Sequence, residues 1–225
     1  MIQLEIWSDL VCPFCYIGKR QLDAALERFE HRDLVQVEWK SFQLDPSAPQ
    51  GSNLSTHEYL AGKYGRSIDW AKQMTAQVAE RAEAVGLKFD FSKAVLTNTF
   101  DAHRLVRLAS QYDLQSEAEE ALFSAHFTEG KHIGEAKSLS EIGQSIGLDS
   151  SEIETTLKGT RFADEVRRDC DDAKSMGISG VPFFLVNRKY AISGAQPIEV
   201  FLNALQTAVT ADASGDLCSD VSCET

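Results

Sequence analysis

Strand-like segments stand at both ends of this sequence, with a long helical block between them. Ile2, Leu4 and Ile6 alternate with Gln3, Glu5 and Trp7, which predicts a strand over residues 2–7. Val35, Val37, Trp39 and Phe42 predict a second strand. From about 55 to 176 the pattern is helical and nearly free of proline. Strand character returns at Val181-Pro182-Phe183-Phe184-Leu185-Val186-Asn187, and residues 189–193 complete a hairpin after a tight turn. A last amphipathic helix uses Ile198, Phe201, Leu202, Leu205 and Val209. This order defines an α/β domain interrupted by an all-helical insertion, so the two halves must meet in space. The expected divisions are residues 1–52 and 177–210 for the two halves, 53–176 for the insertion and 211–225 for a flexible acidic tail. Within the insertion, Leu139, Ile142 and Ile146 form one stripe that Ile153, Leu157 and Phe162 continue, and short turns such as Val85-Gly86-Leu87 and Ile146-Gly147-Leu148-Asp149 punctuate the helical pattern.

The chain has 225 residues, which suits one domain carrying an inserted subdomain. With 22 basic and 34 acidic residues its formal charge is −12, which argues against nucleic acid and anionic membranes as partners. No apolar run approaches the roughly 20 residues needed to span a bilayer. The start at Met1 shows no secretory signal, so a cytoplasmic protein is expected. In a reducing compartment, paired cysteines are more often catalytic or metal-binding than structural.

Cys12-Pro13-Phe14-Cys15 lies between the first strand and a helix marked by Leu22, Ala25, Leu26 and Phe29. A helix N-terminus presents free N–H groups and the positive end of a dipole, which together stabilise a thiolate. Cys12 sits at that end as the expected nucleophile. Cys15, one turn on, is close enough to form a disulfide with it and resolve a mixed disulfide. Pro13 suits the first helical turn. A zinc half-site is the competing reading, but zinc needs two more ligands, and Cys218 and Cys223 have a spacing that fits only loosely; no metal is expected. A proline opening a strand after Val181 reads either as a cis peptide or as an ordinary trans proline; beside a dithiol the cis reading is preferred. Such a proline exposes backbone groups of Val181 to an extended substrate segment.

These features, together with residues 9–18, Asn98-Thr99-Phe100-Asp101-Ala102-His103-Arg104-Leu105 and Ser193-Gly194-Ala195-Gln196, resemble the DsbA-like branch of the thioredoxin superfamily, and within it the cytoplasmic FrnE-like members. The resemblance covers about residues 1–210. It implies a thioredoxin fold with a helical insertion and thiol–disulfide oxidoreductase activity on protein substrates. Cys12 is then the nucleophile, Cys15 its partner and Pro182 the cis-proline after Val181. The reactive group is the dithiol itself, with no resident cofactor, and glutathione or another thiol is a candidate electron donor. Pro13-Phe14 stand where the best-known DsbA proteins carry a histidine, which makes the site less oxidising and favours reductase or isomerase work. Kappa-class glutathione transferases and 2-hydroxychromene-2-carboxylate isomerases are similar in the helical block. They typically have serine at the first cysteine position, so the complete dithiol counts against their chemistry.

Some FrnE-like proteins are similar to the tail in carrying a second dithiol, which makes Cys218 and Cys223 an expected auxiliary pair; a local disulfide is the alternative. Cys170 reads as a half-buried helix residue. His103 is a candidate for the substrate pocket, or else ties the insertion to the core. Glu117, Glu119 and Glu120 are expected to form a solvated helix face. Phe14, Tyr16, Phe183 and Phe184 flank the dithiol and would offer clients an apolar surface, unless they belong to the core.

Overall fold

The computed structural model describes residues 1–51 and 54–215. Strands β1 (Ile2–Ser8) and β2 (Val35–Ser41) run parallel, joined through helix α1 (Pro13–Arg28). Far along the chain, β3 (Phe183–Val186) pairs antiparallel with β1 and then with β4 (Tyr190–Ser193), giving the order β2-β1-β3-β4. Between β2 and β3 lie α2 (Thr56–Tyr64), α3 (Ile68–Glu83), α4 (Phe100–Ser110), α5 (Gln115–Ser124), α6 (Ala136–Ser145), α7 (Ser150–Lys158) and α8 (Ala163–Ser175). Helix α9 (Ile198–Gly215) closes the fold. This is an α/β fold, a mixed four-stranded sheet with a helical insertion between β2 and β3.

The central strand is buried on both faces. Ile2, Leu4 and Ile6 enter the main core with Leu22 of α1 and Phe201 and Leu205 of α9. Each such side chain contributes about 1.5–3 kcal/mol by leaving water. On the opposite face Trp7 packs with Ala173, Ile178 and Leu185. The Trp7 indole N–H donates to the Asp169 carbonyl of α8 at 3.1 Å. The Asp169 carboxylate, 4% exposed, accepts from the Ser41 amide at 2.8 Å and from Arg107 of α4. One buried carboxylate therefore joins the β2 end, α4 and α8.

The three-residue β3–β4 connection, Asn187-Arg188-Lys189, places Asn187 and Arg188 at φ 48° and 53°, a left-handed pair closed by the Lys189 amide donating to the Val186 carbonyl at 2.9 Å. Arg188 reaches back in a fork to Glu5 of β1, at 2.8 and 2.9 Å.

The structure corrects several sequence-based expectations. The stripe from Leu139 to Phe162 is split between α6 and α7 at the turn expected at residues 146–149, where Gly147 takes φ 95° and Asp149 caps α7 by accepting from the Ser151 and Glu152 amides. Phe162 itself sits at φ 65° where α8 begins. Residues 87–99 are not helical; Val95 bridges Ser55 there, and Asn98 donates to the Pro46 and Ala48 carbonyls. Arg104 is buried and serves the carbonyls of Thr156, Gly159 and Arg161 at the end of α7. Helix α9 runs on to Gly215, past the expected start of the tail. No helix among the described residues is long and apolar enough to cross a membrane.

Candidate active site

The first turn of α1 carries the dithiol. Cys12 is the N-cap, with extended backbone (φ −92°, ψ 111°) and no side-chain cap, and Pro13 opens the helix. The Cys12 amide donates to the Asp9 carbonyl at 2.9 Å, and the Cys15 amide to the Cys12 carbonyl at 3.0 Å. β1 thus delivers the motif at its C-terminal end. β3 brings the other half: the Val181–Pro182 peptide is cis, and Cys12 Sγ lies 3.5 Å from the Val181 carbonyl oxygen. Gly18 lets α1 approach this closely, since a Cβ there would stand 3.1 Å from both Pro182 and Phe184. The strand pairing therefore joins Cys12, Cys15, Val181 and Pro182, about 170 positions apart in sequence, in one place.

Both thiols are shielded, Cys12 at 4% and Cys15 at 1% exposure. Burial, then the neighbouring Cys12 sulfur, push the Cys15 thiol well above its ordinary range. The Asp9 backbone and the Ser8 hydroxyl act in the opposite direction. The same Ser8 hydroxyl donates to Glu119 Oε2 of α5 at 3.3 Å.

Glu119 corrects the reading of a solvated face. It is 1% exposed, and burial lifts its carboxyl to about 7, against the opposing pull of His103, Ser8 and Lys19. A carboxyl that exchanges its proton near neutrality, one hydroxyl from a buried thiol, can hold the proton which that thiol releases. Glu120 also has partners: it accepts from the Tyr16 hydroxyl and from Arg20 at 2.5 Å each, and pairs with Lys19 at 3.1 Å.

The sign of the Glu119 effect on stability follows from linkage. Between about pH 4.5 and 7 the folded chain holds a proton that the unfolded chain has lost, so this group lowers stability as pH rises and its full penalty, about 3 kcal/mol, is reached above pH 7. Glu119→Gln removes that dependence. In urea unfolding, the variant's stability minus wild type's should rise between pH 5 and pH 8 by about 2 kcal/mol; a difference independent of pH would refute the assignment.

His103 does not reach the substrate side. It is 1% exposed, with Nε2 3.0 Å from the Phe42 carbonyl and 3.5 Å from Asp9 Oδ1. Asp9 in turn accepts from the Leu44 amide at 2.7 Å. His103 therefore ties α4 to the loop after β2, because its ring is committed to buried polar partners. Tyr16 and Phe184 are likewise core residues, Tyr16 stacking on Phe123 at 4.9 Å between ring centres. Phe14 remains partly exposed beside the dithiol, with the Arg81 guanidinium 5.9 Å from its ring centre. Cys170 is half-buried, its thiol pushed up to about 11 chiefly by burial. Cys218 and Cys223 lie outside the described residues.

A cavity of about 560 Å³ opens beside Cys12, Pro13, Phe14 and Val181 and is otherwise walled mainly by α2, α3 and the 91–99 segment. His126 also lines it, from a π-helical turn (Ala125–Glu129) that follows α5. Among its neighbours in sequence only the acidic run of α5 stands out, so neither His126 nor Glu119 has a signal in the sequence; both depend on the inserted helices folding back over the dithiol.

A parallel–antiparallel sheet with a dithiol at the N-terminus of its first helix, facing a cis-proline, defines the thioredoxin-fold class of redox domain. The chain matches the DSBA-like thioredoxin domain family over residues 3–206 and belongs to that family. It is similar to the uncharacterized protein YwbO of Bacillus subtilis (strain 168), 27% identical over 209 residues that cover 91% of this chain and 96% of that one. The crystal structure of the probable DsbA oxidoreductase SCO1869 from Streptomyces coelicolor is 34% identical, with TM-score 0.88 over 100% of this chain and 94% of that one. The cytosolic disulfide reductase DsbM from Pseudomonas aeruginosa, solved with GSH, shares the fold at 17% identity, TM-score 0.64, covering 92% of this chain and 99% of that one.

Proposed function

We propose that this protein is a cytoplasmic, FrnE-like thiol–disulfide oxidoreductase working in the reducing or isomerising direction on protein disulfides. One observation carries the reading: a dithiol at a helix N-terminus whose first sulfur touches the carbonyl before a cis-proline. Cys12 attacks a substrate disulfide, and Cys15 attacks the resulting mixed disulfide at Cys12, leaving a Cys12–Cys15 disulfide and a substrate thiol. Val181 lines up an extended substrate segment, with Pro13 and Phe14 on the other side of the sulfur. A thiol reductant, glutathione or another, restores the dithiol. Cys218 and Cys223 serve as an auxiliary dithiol on the tail. The cytosolic description of DsbM supports the compartment.

The test is reduction of insulin with dithiothreitol as reductant, followed by precipitation of the free B chain. The intact protein should accelerate precipitation over dithiothreitol alone, and Cys12→Ser should return it to that baseline. An undiminished rate in Cys12→Ser would refute the reading.

A further inference from the structure

The cavity beside Cys12 has chemistry that an extended protein segment does not use. Cys12 is 4% exposed, and one face of its surroundings is this enclosed space of about 560 Å³. That is the size of a small-molecule site. Its walls are largely apolar, with Val78, Phe91, Leu96 and Phe127 among them.

Polar groups interrupt that lining, among them the buried Asp9, Thr97 and Thr99, and two further features point to a ligand. His126 is 5% exposed, and its Nδ1 has no hydrogen-bond partner among the described residues. Buried polar atoms are nearly always paired, so an orphan nitrogen on a residue that lines a cavity is a place for a ligand atom. Burial lowers its pKa to about 4, so the ring is neutral and offers one donor and one acceptor. At the mouth stand Lys63 and Arg81, both exposed. Arg81 lies over the Phe14 ring, and Lys63 lies 5.4 Å from the Tyr59 ring centre and donates to the Tyr59 hydroxyl at 3.3 Å. Neither forms an ion pair within 4.0 Å among the described residues, although Lys63 is close enough to Asp45 to help lower its carboxyl pKa, in a chain with twelve excess negative charges. Asp45, also at the mouth, already accepts from Tyr59 and Ser47.

We propose that this cavity binds a small, largely apolar organic disulfide bearing an acid group, with His126 hydrogen-bonding it inside and Lys63 and Arg81 holding the acid. The proposal rests on the oxidoreductase reading of Cys12 and adds a second class of substrate to it. The Cys12 thiolate attacks one ligand sulfur; the ligand S–S bond breaks, and one half leaves as a thiolate. Cys15 then attacks Cys12, releasing the second half as a thiolate and forming the Cys12–Cys15 disulfide. Two electrons pass from the dithiol to the ligand, the two thiol protons go to the released thiolates or to water, and a thiol reductant resets the pair.

The test uses the reduced full-length chain with Cys170, Cys218 and Cys223 replaced by alanine, followed through a single turnover. Its probes are 5,5′-dithiobis(2-nitrobenzoate), an aromatic disulfide with a carboxylate on each ring, and neutral 4,4′-dithiodipyridine. The rate with the anionic probe should saturate with concentration. Combined Lys63→Gln and Arg81→Gln should slow the anionic probe by about tenfold relative to the neutral one at low probe concentration. His126→Leu should raise the half-saturating concentration of the anionic probe by about threefold or more. Rates linear in concentration, with both probes affected equally by all three substitutions, would overturn the proposal. Should Cys12 react with neither probe, the oxidoreductase reading fails separately. Fluorescence titration of Cys12→Ser with 1-anilinonaphthalene-8-sulfonate then decides the cavity: saturable binding weakened by Lys63→Gln with Arg81→Gln supports it, and binding indifferent to them overturns it.

Discussion

Cys15→Ser should turn a catalyst into a trap. With the second thiol gone, mixed disulfides at Cys12 have no resolving partner, and insulin reduction should fall by about 100-fold. Covalent adducts should accumulate when the variant is incubated with cell lysate, and Cys12→Ser should form none. The expectation follows from burial. Cys15 is 1% exposed behind Cys12, so an outside thiol reaches the mixed disulfide poorly and the intramolecular attack is the fast exit. Mass-spectrometric mapping of the adducts also tests the proposed auxiliary role of Cys218 and Cys223: peptides joining Cys12 to either would show exchange between them. A Cys15→Ser protein that keeps turning over at the wild-type rate would exclude the two-thiol mechanism.

The second large effect concerns stability. Asp169→Ala leaves the Ser41 amide and the Arg107 guanidinium without their buried partner. Removing one member of a buried pair typically costs about 3–5 kcal/mol, and here Glu38, 3.5 Å from Arg107, moderates it toward the lower end. Across a chain of this size that is a fall in melting temperature of roughly 6–12 °C. Asp169→Asn, which retains an acceptor for Ser41, should lose less. An alanine variant melting within about 1 °C of wild type would show that the network contributes little.

The sheet and the dithiol were legible in the sequence because each has a local signature. Period-two alternation marks β1, the paired cysteines precede an amphipathic run, and Asn187-Arg188 falls between two apolar segments. What surrounds the dithiol from above was not legible. Glu119 sits between Glu117 and Glu120, and nothing in that run distinguishes the one carboxylate that faces inward from those that do not. His103 has the composition of a site residue, yet its ring is spent on the Phe42 carbonyl and Asp9. His126 gains its meaning only from a π-helical turn, a backbone variation with no side-chain period to announce it. The break between α6 and α7, by contrast, was legible: Ile146-Gly147-Leu148-Asp149 reads as a turn even though Ile146 and Ile153 keep helical spacing across it.

The antiparallel pairing of β1 with β3 has a consequence for synthesis. A ribosome makes Val186, the last residue of β3, more than 170 residues after Cys15. Until then β1 has only β2 for a neighbour, and both sulfurs lack the Val181–Pro182 wall. The nascent chain therefore carries two unshielded thiols while the whole intervening segment is made, and closure of this long loop, a non-local and hence slow step, is what completes the site.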